Sequence, residues 1–343
     1  MSTTEKPLVL SIPDPRSLDL IFTDAARAAL NVGYEIVEAE ADDFPGLAPD
    51  VLAKARYIIG QPPIDRETLD KLQSLRCVFN VETNLLNNMP YDVLFERGIH
   101  VVTTGAVFAE PVAELGLAMA LNLARDIVDA DLAFRRGQEL WGGDGNAKAR
   151  LLSGSDIGII GFGDLGKVLN RVLKGFNARI RVFDPWLPPS LLDEHGVEPA
   201  SLDTVLSQSD FVFVVAAVTS DNEGFLGADA FASMRKGAAF ILLSRAGVVD
   251  FDALMVAVRS GHILAASDVF PDEPLAKDHP VRAIPGFLRS AHRAGALDIA
   301  FKRMGDMVLE DMSLMDRGLP PMRCKRAERE TVARMRSKPV TRN

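Results

Sequence analysis

The stretch IGIIGFGDLGK, residues 157–167, decides the fold of this 343-residue chain. It places Gly161, Gly163 and Gly166 in a G-x-G-x-x-G spacing, directly after an apolar run and before a helical pattern that reaches residue 176. A second apolar run then ends at Asp184, 18 residues after Gly166. The order strand, glycine loop, helix, strand and carboxylate is typical of a βαβ unit that binds a dinucleotide.

Each residue type in this signature has its own physical role. The first glycine permits a tight turn, the second leaves bare backbone for a pyrophosphate, and the third lets the helix pack closely on its strand. The free N–H groups at the helix N-terminus attract phosphate. Asp184 is suited to the ribose hydroxyls and repels a 2′-phosphate, so the sequence predicts NAD rather than NADP, although Arg179 and Arg181 flank the site. The alternative interpretation is a glycine-rich turn without a ligand.

Length and composition indicate a globular protein of two domains. Hydrophobic residues make up 48% of the chain and charged residues 25%. The net charge of −9 argues against general affinity for nucleic acid. Residues 323–343 are basic, in contrast to the chain as a whole, with eight Lys/Arg and two Glu. They are expected to form a solvated, partly frayed extension, with contact to an anionic partner or another subunit as the alternative.

Membrane, secretion and metal signals are weak. The sequence has no run of 18 apolar residues, and its first ten residues lack the pattern of a signal peptide, so no membrane contact is expected. Its two cysteines, Cys77 and Cys324, are too few for a disulfide framework or a structural zinc site. A cytoplasmic protein without a metal site is the expectation.

Short apolar runs alternate with helical patterns along the chain, which predicts parallel sheets covered on both faces. In the first part, the predicted strands are residues 8–12, 57–60, 77–81 and 99–102, and the predicted helices are 18–31 and 65–75. A long, largely buried helix is predicted over 109–136, followed by a turn-rich loop over 137–154. A second alternating unit runs from 156 to 289, and a final helix covers 297–318.

Several motifs occur in the order found in one known family. They are ERGI (96–99), EPVAE (110–114), the glycine loop, SRAGVVD (244–250), DVFPDEPL (268–275) and SAHRAG (290–295). The sequence resembles the D-isomer-specific 2-hydroxyacid dehydrogenases. The resemblance implies two doubly wound α/β domains with parallel sheets. A Rossmann-type NAD-binding domain would cover 106–296, and a flavodoxin-like substrate domain 1–105 would be completed by 297–322 and followed by the basic extension.

The resemblance also implies a catalytic set of Arg245, Glu273 and His292. Reduction of a small 2-keto acid to its D-2-hydroxy acid needs a proton donor, and histidine is suited to this near neutral pH. A neighbouring glutamate stabilises the charged imidazolium and orients it. The arginine guanidinium can bind the substrate carboxylate through two hydrogen bonds and polarise the substrate carbonyl. Taken one by one, each residue has an ordinary structural alternative.

The same resemblance assigns further residues to the cofactor and implies a homodimer. The cofactor candidates are Gly161, Gly163, Asp164, Leu165, Gly166, Asp184, Thr219 and Asp268. Asp268 would lie near the nicotinamide, although a structural role is equally open. The long helix and the loop 137–154 are expected near the dimer interface.

The chain departs from the family in its substrate loop, which reads NVETNLL over residues 80–86 instead of carrying a Gly-x-Asp stretch. In the family this loop offers backbone N–H groups to the substrate carboxylate. Glu82 and Asn84 suggest either a substrate with an extra polar or cationic group or a reshaped loop. Asp164 is also unusual, because an acidic side chain beside a pyrophosphate is unfavourable unless it points away.

Two other classes of function remain open from the sequence. An NAD-sensing regulator without useful turnover would keep this fold, as the corepressor branch of the family does. A formate or phosphonate dehydrogenase is the other alternative; Glu273 speaks against the formate branch, which pairs its histidine with glutamine.

Overall fold

The computed structural model describes residues 5–82 and 84–335, which form two compact units. The first unit comprises residues 1–107, 219–221 and 297–343, within those described limits, and the second comprises 108–218 and 222–296. The chain passes from the first unit to the second after residue 107 and returns to the first at residue 297. The sequence did not predict that the short segment 219–221 groups with the first unit.

Strands and helices are numbered in chain order. The strands are β1 Leu8–Ile12, β2 Glu35–Glu38, β3 Ala55–Gly60, β4 Cys77–Asn80, β5 His100–Thr103, β6 Asp156–Ile160, β7 Arg179–Phe183, β8 Glu198–Pro199, β9 Phe211–Val214, β10 Ala239–Leu242, β11 Leu264–Ser267, β12 Phe287–Arg289 and β13 Lys325–Arg326. The α-helices are α1 Leu18–Ile21, α2 Asp24–Gly33, α3 Pro49–Lys54, α4 Arg66–Lys71, α5 Tyr91–Glu96, α6 Ala109–Arg125, α7 Ile127–Arg135, α8 Asp164–Leu173, α9 Pro189–Glu194, α10 Leu202–Gln208, α11 Ala228–Ser233, α12 Phe251–Arg259, α13 Asp298–Asp316 and α14 Arg329–Arg334.

The first unit has a sheet with the strand order β13-β5-β4-β3-β1-β2. The pairs among β1 to β5 are parallel, and β13 adds an antiparallel edge to β5. All five residues of β1 are buried, as expected for a parallel strand covered on both faces. The chain passes from β1 to β2 on one side and to β3 on the other, so the flavodoxin-like switch point lies between β1 and β3.

The second unit has a parallel sheet with the order β12-β11-β10-β9-β6-β7-β8, which is the Rossmann arrangement. Its switch point lies between β6 and β9, directly beyond the glycine loop. Helix α6 packs against α8 and against β10, and eight of its residues are buried. Both units are therefore parallel-sheet α/β domains, as the sequence predicted.

Two helices that the sequence predicted as continuous are each divided at a single position. The helix expected over 18–31 is interrupted because Phe22 is extended and the Thr23 side chain caps α2 by accepting from the Ala26 N–H at 3.1 Å. The helix expected over 109–136 divides at Asp126, which adopts a left-handed conformation with φ of 55°. The expectation of burial was correct for α6 and wrong for α7, which has no buried residue.

The segment 323–335 belongs to the fold of the first unit, so the expected solvated extension is corrected for these residues. Arg326 in β13 pairs with Val102 of β5, and the Ala327 N–H donates to the Val101 carbonyl at 2.8 Å. Cys324 is buried, and α14 follows. Backbone pairing with β5 outweighs the basic composition that suggested a solvated tail. The remaining residues of that expected extension, 336–343, lie outside the described residues.

One helical segment, Gly105–Arg125, is long and apolar enough to cross a membrane by length and composition, within the described residues. Half of its most apolar window is buried inside the protein. It is weak evidence for a membrane span, because buried core helices meet the same criteria.

Candidate active site

The glycine loop joins β6 to α8 at the switch point of the second sheet. Gly161 has φ of 91°, and a Cβ there would lie 2.6 Å from the Ala216 Cα, so only glycine fits this close approach of two backbone segments. A Cβ on Gly166 would lie 2.5 Å from the Gly161 carbonyl oxygen. A Cβ on Gly163 would meet nothing within 4 Å, so the backbone here borders open space. The loop therefore has the bare, tightly turned backbone that a dinucleotide pyrophosphate requires.

Asp184 directly follows β7 and is tied to the same loop. Its Oδ2 accepts from the Phe162 N–H at 2.7 Å, and its Oδ1 accepts from the Trp186 N–H at 3.0 Å. The two neighbouring arginines are engaged elsewhere, since Arg179 pairs with Glu198 at 2.8 Å and the buried Arg181 pairs with Asp156 at 2.8 Å. Asp184 therefore lies beside the glycine loop, and both arginines that flank it in the sequence are engaged in ion pairs.

Seven of the eight predicted cofactor residues lie in the second unit, and Thr219 is assigned to the first. Asp164 and Leu165 open α8 in its first turn, where a carboxylate is favoured by the helix dipole. Thr219 groups with the first unit, because it forms a β-bridge with Met335. Long-range backbone pairing of this kind leaves no signal in the local sequence.

Arg245 lies just beyond the carboxyl end of β10. It is half-buried, and its Nη1 donates to the Ser244 carbonyl at 2.7 Å. The charge of Arg245 is close enough to lower the pKa of Glu273. The two residues, 28 positions apart in sequence, therefore share one electrostatic environment.

Glu273 and His292 form a direct pair. The His292 Nδ1 lies 2.5 Å from the Glu273 Oε2, while the Glu273 Oε1 accepts from the Phe270 N–H at 2.8 Å. Burial opposes ionisation of Glu273, but hydrogen bonds from His292 and Phe270 and the charges of His292 and Arg245 outweigh it. The pKa of Glu273 therefore falls below its usual 4.5. Because Nδ1 is held, Nε2 is the imidazole nitrogen that can face a reactant.

Asp268, which follows β11, holds the loop that carries His292. Its side chain is 1% exposed, its Oδ1 accepts from the Arg293 N–H at 3.0 Å, and its Oδ2 accepts from the Ala294 N–H at 3.0 Å. Its carbonyl oxygen also accepts from the His292 N–H at 2.7 Å. His292 adopts φ of 47°, which is rare for a residue with a side chain. The contacts thus fit the structural role that the sequence left open for Asp268.

The first unit presents polar groups at the carboxyl ends of its strands. The loop after β4 is held by two side chains, since Gln61 Nε2 and Asn80 Nδ2 both donate to the Asn84 carbonyl, at 3.1 and 2.7 Å. The Leu86 N–H donates back to Gln61 Oε1 at 3.1 Å. Thr83 of this loop lies outside the described residues. The side chains of Gln61 and Asn80 therefore hold the backbone of this loop in place.

Glu82 in this loop is paired with Arg16, a residue that the sequence did not single out. The Arg16 Nε and Nη2 lie 2.6 and 3.0 Å from the two carboxylate oxygens of Glu82. The only sequence signal for Arg16 is its place four residues after β1, at the carboxyl end of a central parallel strand. In the described ranges, 5–82 and 84–335, no cluster of His, Cys, Asp and Glu suits a metal ion.

A Rossmann-type unit with a complete glycine loop, a carboxylate directly after its second strand and a paired histidine is the arrangement expected of a nicotinamide-dependent dehydrogenase. The sequence profile described as "D-isomer specific 2-hydroxyacid dehydrogenase, NAD binding domain" matches residues 117–294. The chain belongs to the D-isomer specific 2-hydroxyacid dehydrogenase family, and it is an NAD-dependent enzyme of that family.

Individual relatives agree with this assignment. A glyoxylate reductase from Korarchaeum cryptofilum (strain OPF8) is 31% identical over 76% of this chain and 79% of its own length. A D-3-phosphoglycerate dehydrogenase from Methanocaldococcus jannaschii is 28% identical over 74% of this chain but only 48% of its own length. A crystal structure of a phosphoglycerate oxidoreductase from Rhizobium etli is 72% identical, has a TM-score of 0.91, and covers 95% of this chain and 100% of its own.

Proposed function

We propose that this enzyme interconverts a small 2-keto acid and its D-2-hydroxy acid, with His292 as proton donor and acceptor. When bound along the glycine loop, NADH supplies the hydride for C2 of the keto acid. Arg245 grips the substrate carboxylate and polarises the carbonyl. The His292 Nε2 gives its proton to the oxygen as negative charge develops there, and takes it back in the reverse direction.

The observation that carries this proposal is the contact of His292 Nδ1 with Glu273 Oε2 at 2.5 Å, together with the charge of Arg245 acting on the same glutamate. The carboxylate fixes the ring so that Nε2 is presented, and it stabilises the imidazolium from which the proton leaves. A non-enzymatic regulator has no physical need for a glutamate that remains ionised beside a histidine. The pair therefore favours the enzyme over the NAD-sensing alternative.

The decisive experiment follows NADH absorbance with glyoxylate, pyruvate, hydroxypyruvate, 3-phosphohydroxypyruvate and phenylpyruvate. We expect turnover of at least one acid and a loss of about 10²- to 10⁴-fold in kcat for His292→Gln, with NADH affinity little changed. Turnover of none by the wild-type enzyme, with NADH still bound, would favour the regulator. A His292→Gln variant that keeps most of its activity would remove His292 from the proposed chemistry.

We also propose that the enzyme is a homodimer, with α7 and the following loop covered by a second copy. Large apolar side chains are exposed here, and Trp141 is 75% exposed and packs edge-on against Phe134 at 6.4 Å between ring centroids. The exposed set is Ile127, Val128, Leu132, Phe134, Leu140, Trp141 and Leu151. A concentration of exposed apolar side chains of this kind is characteristic of an interface.

Analytical ultracentrifugation tests the dimer. We expect the wild-type enzyme to sediment at twice the chain mass, and a Phe134→Glu/Trp141→Glu variant to sediment as a monomer. Val32→Glu, at an equally exposed apolar residue on α2, is the matched control and should leave the dimer intact. A monomeric wild-type enzyme would refute this proposal.

A further inference from the structure

The histidine loop, residues 290–296, is held by packing as well as by hydrogen bonds. Asp268 accepts hydrogen bonds from the N–H groups of the two residues that follow His292. Further along the same loop, Gly295 lies against the side chain of Phe108, which directly precedes α6. Both residues belong to the second unit, and Phe108 is only 8% exposed. The contact therefore joins the beginning of α6 to the histidine loop.

Gly295 leaves room for the Phe108 ring, and any side chain there would collide with it. A Cβ on Gly295 would lie 2.8 Å from the Phe108 Cδ1, 3.3 Å from its Cγ and 3.4 Å from its Cβ. Rotation of the ring about its own axis would relieve only the first of these three approaches. Gly295 is not among the described residues with a positive φ, so its backbone conformation does not require glycine. The close approach of Phe108 is thus the structural reason for glycine at this position.

Phe108 offers a fixed surface because α6 is packed tightly on the sheet. Eight residues of α6 are buried, and a Cβ on Gly116 in this helix would collide with the Leu243 side chain. Leu243 is buried, directly follows β10 and lies two residues before Arg245. Helix α6 and the residue that precedes it therefore contact both the segment that leads to Arg245 and the histidine loop.

We propose that Phe108 is a positioning residue for His292, because its ring supports the histidine loop at Gly295. His292 has φ of 47°, a conformation that persists only when the surrounding structure constrains it. In this conformation the His292 Nδ1 lies 2.5 Å from the Glu273 Oε2. Loss of the ring should let the loop shift, which lengthens that contact and misplaces Nε2. This inference rests on the proposed role of His292 in proton transfer.

The contact is tested from both sides by kcat per folded molecule, with the keto acid that the panel above identifies. Phe108→Ala removes the ring and Gly295→Ala pushes it away, so each should lower kcat about tenfold or more, with NADH affinity little changed. The double variant Phe108→Ala/Gly295→Ala has room for the new methyl group, so its kcat should be no lower than that of Phe108→Ala alone. Gly295→Ala also tests the same contact if Phe108→Ala does not fold.

Phe231→Ala is the matched control. Phe231 of α11 is also buried in the second unit, and it packs edge-on against Phe240 with ring centroids 5.3 Å apart. This variant should lose stability in urea denaturation and keep its kcat. A wild-type kcat in either folded single variant of the Phe108–Gly295 contact, or an equal loss in Phe231→Ala, would overturn the proposal. So would a Gly295→Ala substitution that lowers kcat as strongly in Phe108→Ala as in the wild-type enzyme.

Hydrogen exchange of the loop amides separates this inference from the proposed function, because it requires no turnover. The N–H groups of residues 292–294 all donate to Asp268, so they exchange only when the loop opens. In Phe108→Ala, a peptide that covers residues 290–296 should exchange about tenfold faster than in the wild-type enzyme, and Phe231→Ala should leave it unchanged. Faster exchange, with a wild-type enzyme that turns over no keto acid, would support the packing role and remove the catalytic one. Unchanged exchange with normal wild-type turnover would do the reverse.

Discussion

Asp268→Asn tests whether the buried carboxylate holds His292 in place. Asparagine has nearly the same shape but retains only one acceptor oxygen, so its amide nitrogen would face either the Arg293 or the Ala294 N–H. One hydrogen bond to a charged acceptor is lost, and a buried donor is left facing another donor. Each of these effects costs about 1–3 kcal/mol, so we expect destabilisation of about 2–6 kcal/mol.

The loss should appear in catalysis as well as in stability. His292 holds φ of 47°, a conformation that costs about 1–2 kcal/mol for a residue with a side chain and persists only under external constraint. Without the two contacts from Asp268, the loop should relax and displace the imidazole. A displacement of about 1 Å can reduce a rate about 10²-fold. We therefore expect kcat to fall about 10²-fold while the dissociation constant of NADH changes little.

Asp311→Asn is the matched control for this experiment. Asp311 is equally buried, in the first unit, and accepts from the N–H groups of Met322, Arg323 and Cys324 at 2.7–2.8 Å. It should lose comparable stability by urea denaturation, yet keep its kcat per folded molecule. Steady-state assays at 25 °C with the folded fraction measured by circular dichroism compare the two variants. A wild-type kcat in Asp268→Asn, or an equal loss in Asp311→Asn, would refute the reasoning.

Three further predictions concern the site directly. The lowered pKa of Glu273 means that its carboxylate persists at neutral pH and that its contribution to the free energy of unfolding is lost only as pH falls below about 4.5. In Glu273→Gln, the free energy of unfolding measured against pH should lose that part of its acid dependence, and an unchanged profile would contradict this reasoning. Arg245→Lys keeps the positive charge but loses the planar guanidinium that can bind a carboxylate through two N–H groups, so KM for the keto acid should rise about tenfold or more with little movement of the pH optimum. An unchanged KM would contradict the role of Arg245 in binding the substrate carboxylate. Asp184→Ala should reduce the preference for NADH over NADPH about tenfold or more in calorimetric titrations, whereas equal binding of the two cofactors by the wild-type enzyme would overturn the assignment of Asp184.

The sequence was most informative where function depends on local order. The glycine spacing, the apolar run before it and the carboxylate after it all lie within one βαβ unit, so their geometry follows from strand, turn and helix without knowledge of the rest of the chain. The alternation of strands and helices also predicted both parallel sheets, since a parallel connection needs a crossover helix. The proximity of Glu273 and His292 was predicted from motif order, and the structure places the two side chains in contact.

The sequence was misleading where a single residue ends a regular pattern. Apolar periodicity continues through Asp126, yet that residue turns left-handed and starts a second helix whose apolar side chains stay exposed. Composition was misleading at the C-terminus, because the basic character of Lys325 and Arg326 gave no indication that their backbone pairs with β5. At Asp126 the deciding feature is a left-handed backbone conformation, and at the C-terminus it is backbone hydrogen bonding; side-chain patterns describe both only indirectly.

The sequence by itself determined the fold class, the cofactor loop and the set of residues available for the chemistry, because these follow from short-range spacing. Only the tertiary structure decided that Asp268 faces the histidine loop and that Glu82 is neutralised by Arg16, 66 positions earlier. Such pairs form when parallel strands bring their carboxyl ends to one edge of a sheet. The sequence separation of the partners then reflects the length of the crossovers, and carries no information about which side chains will meet.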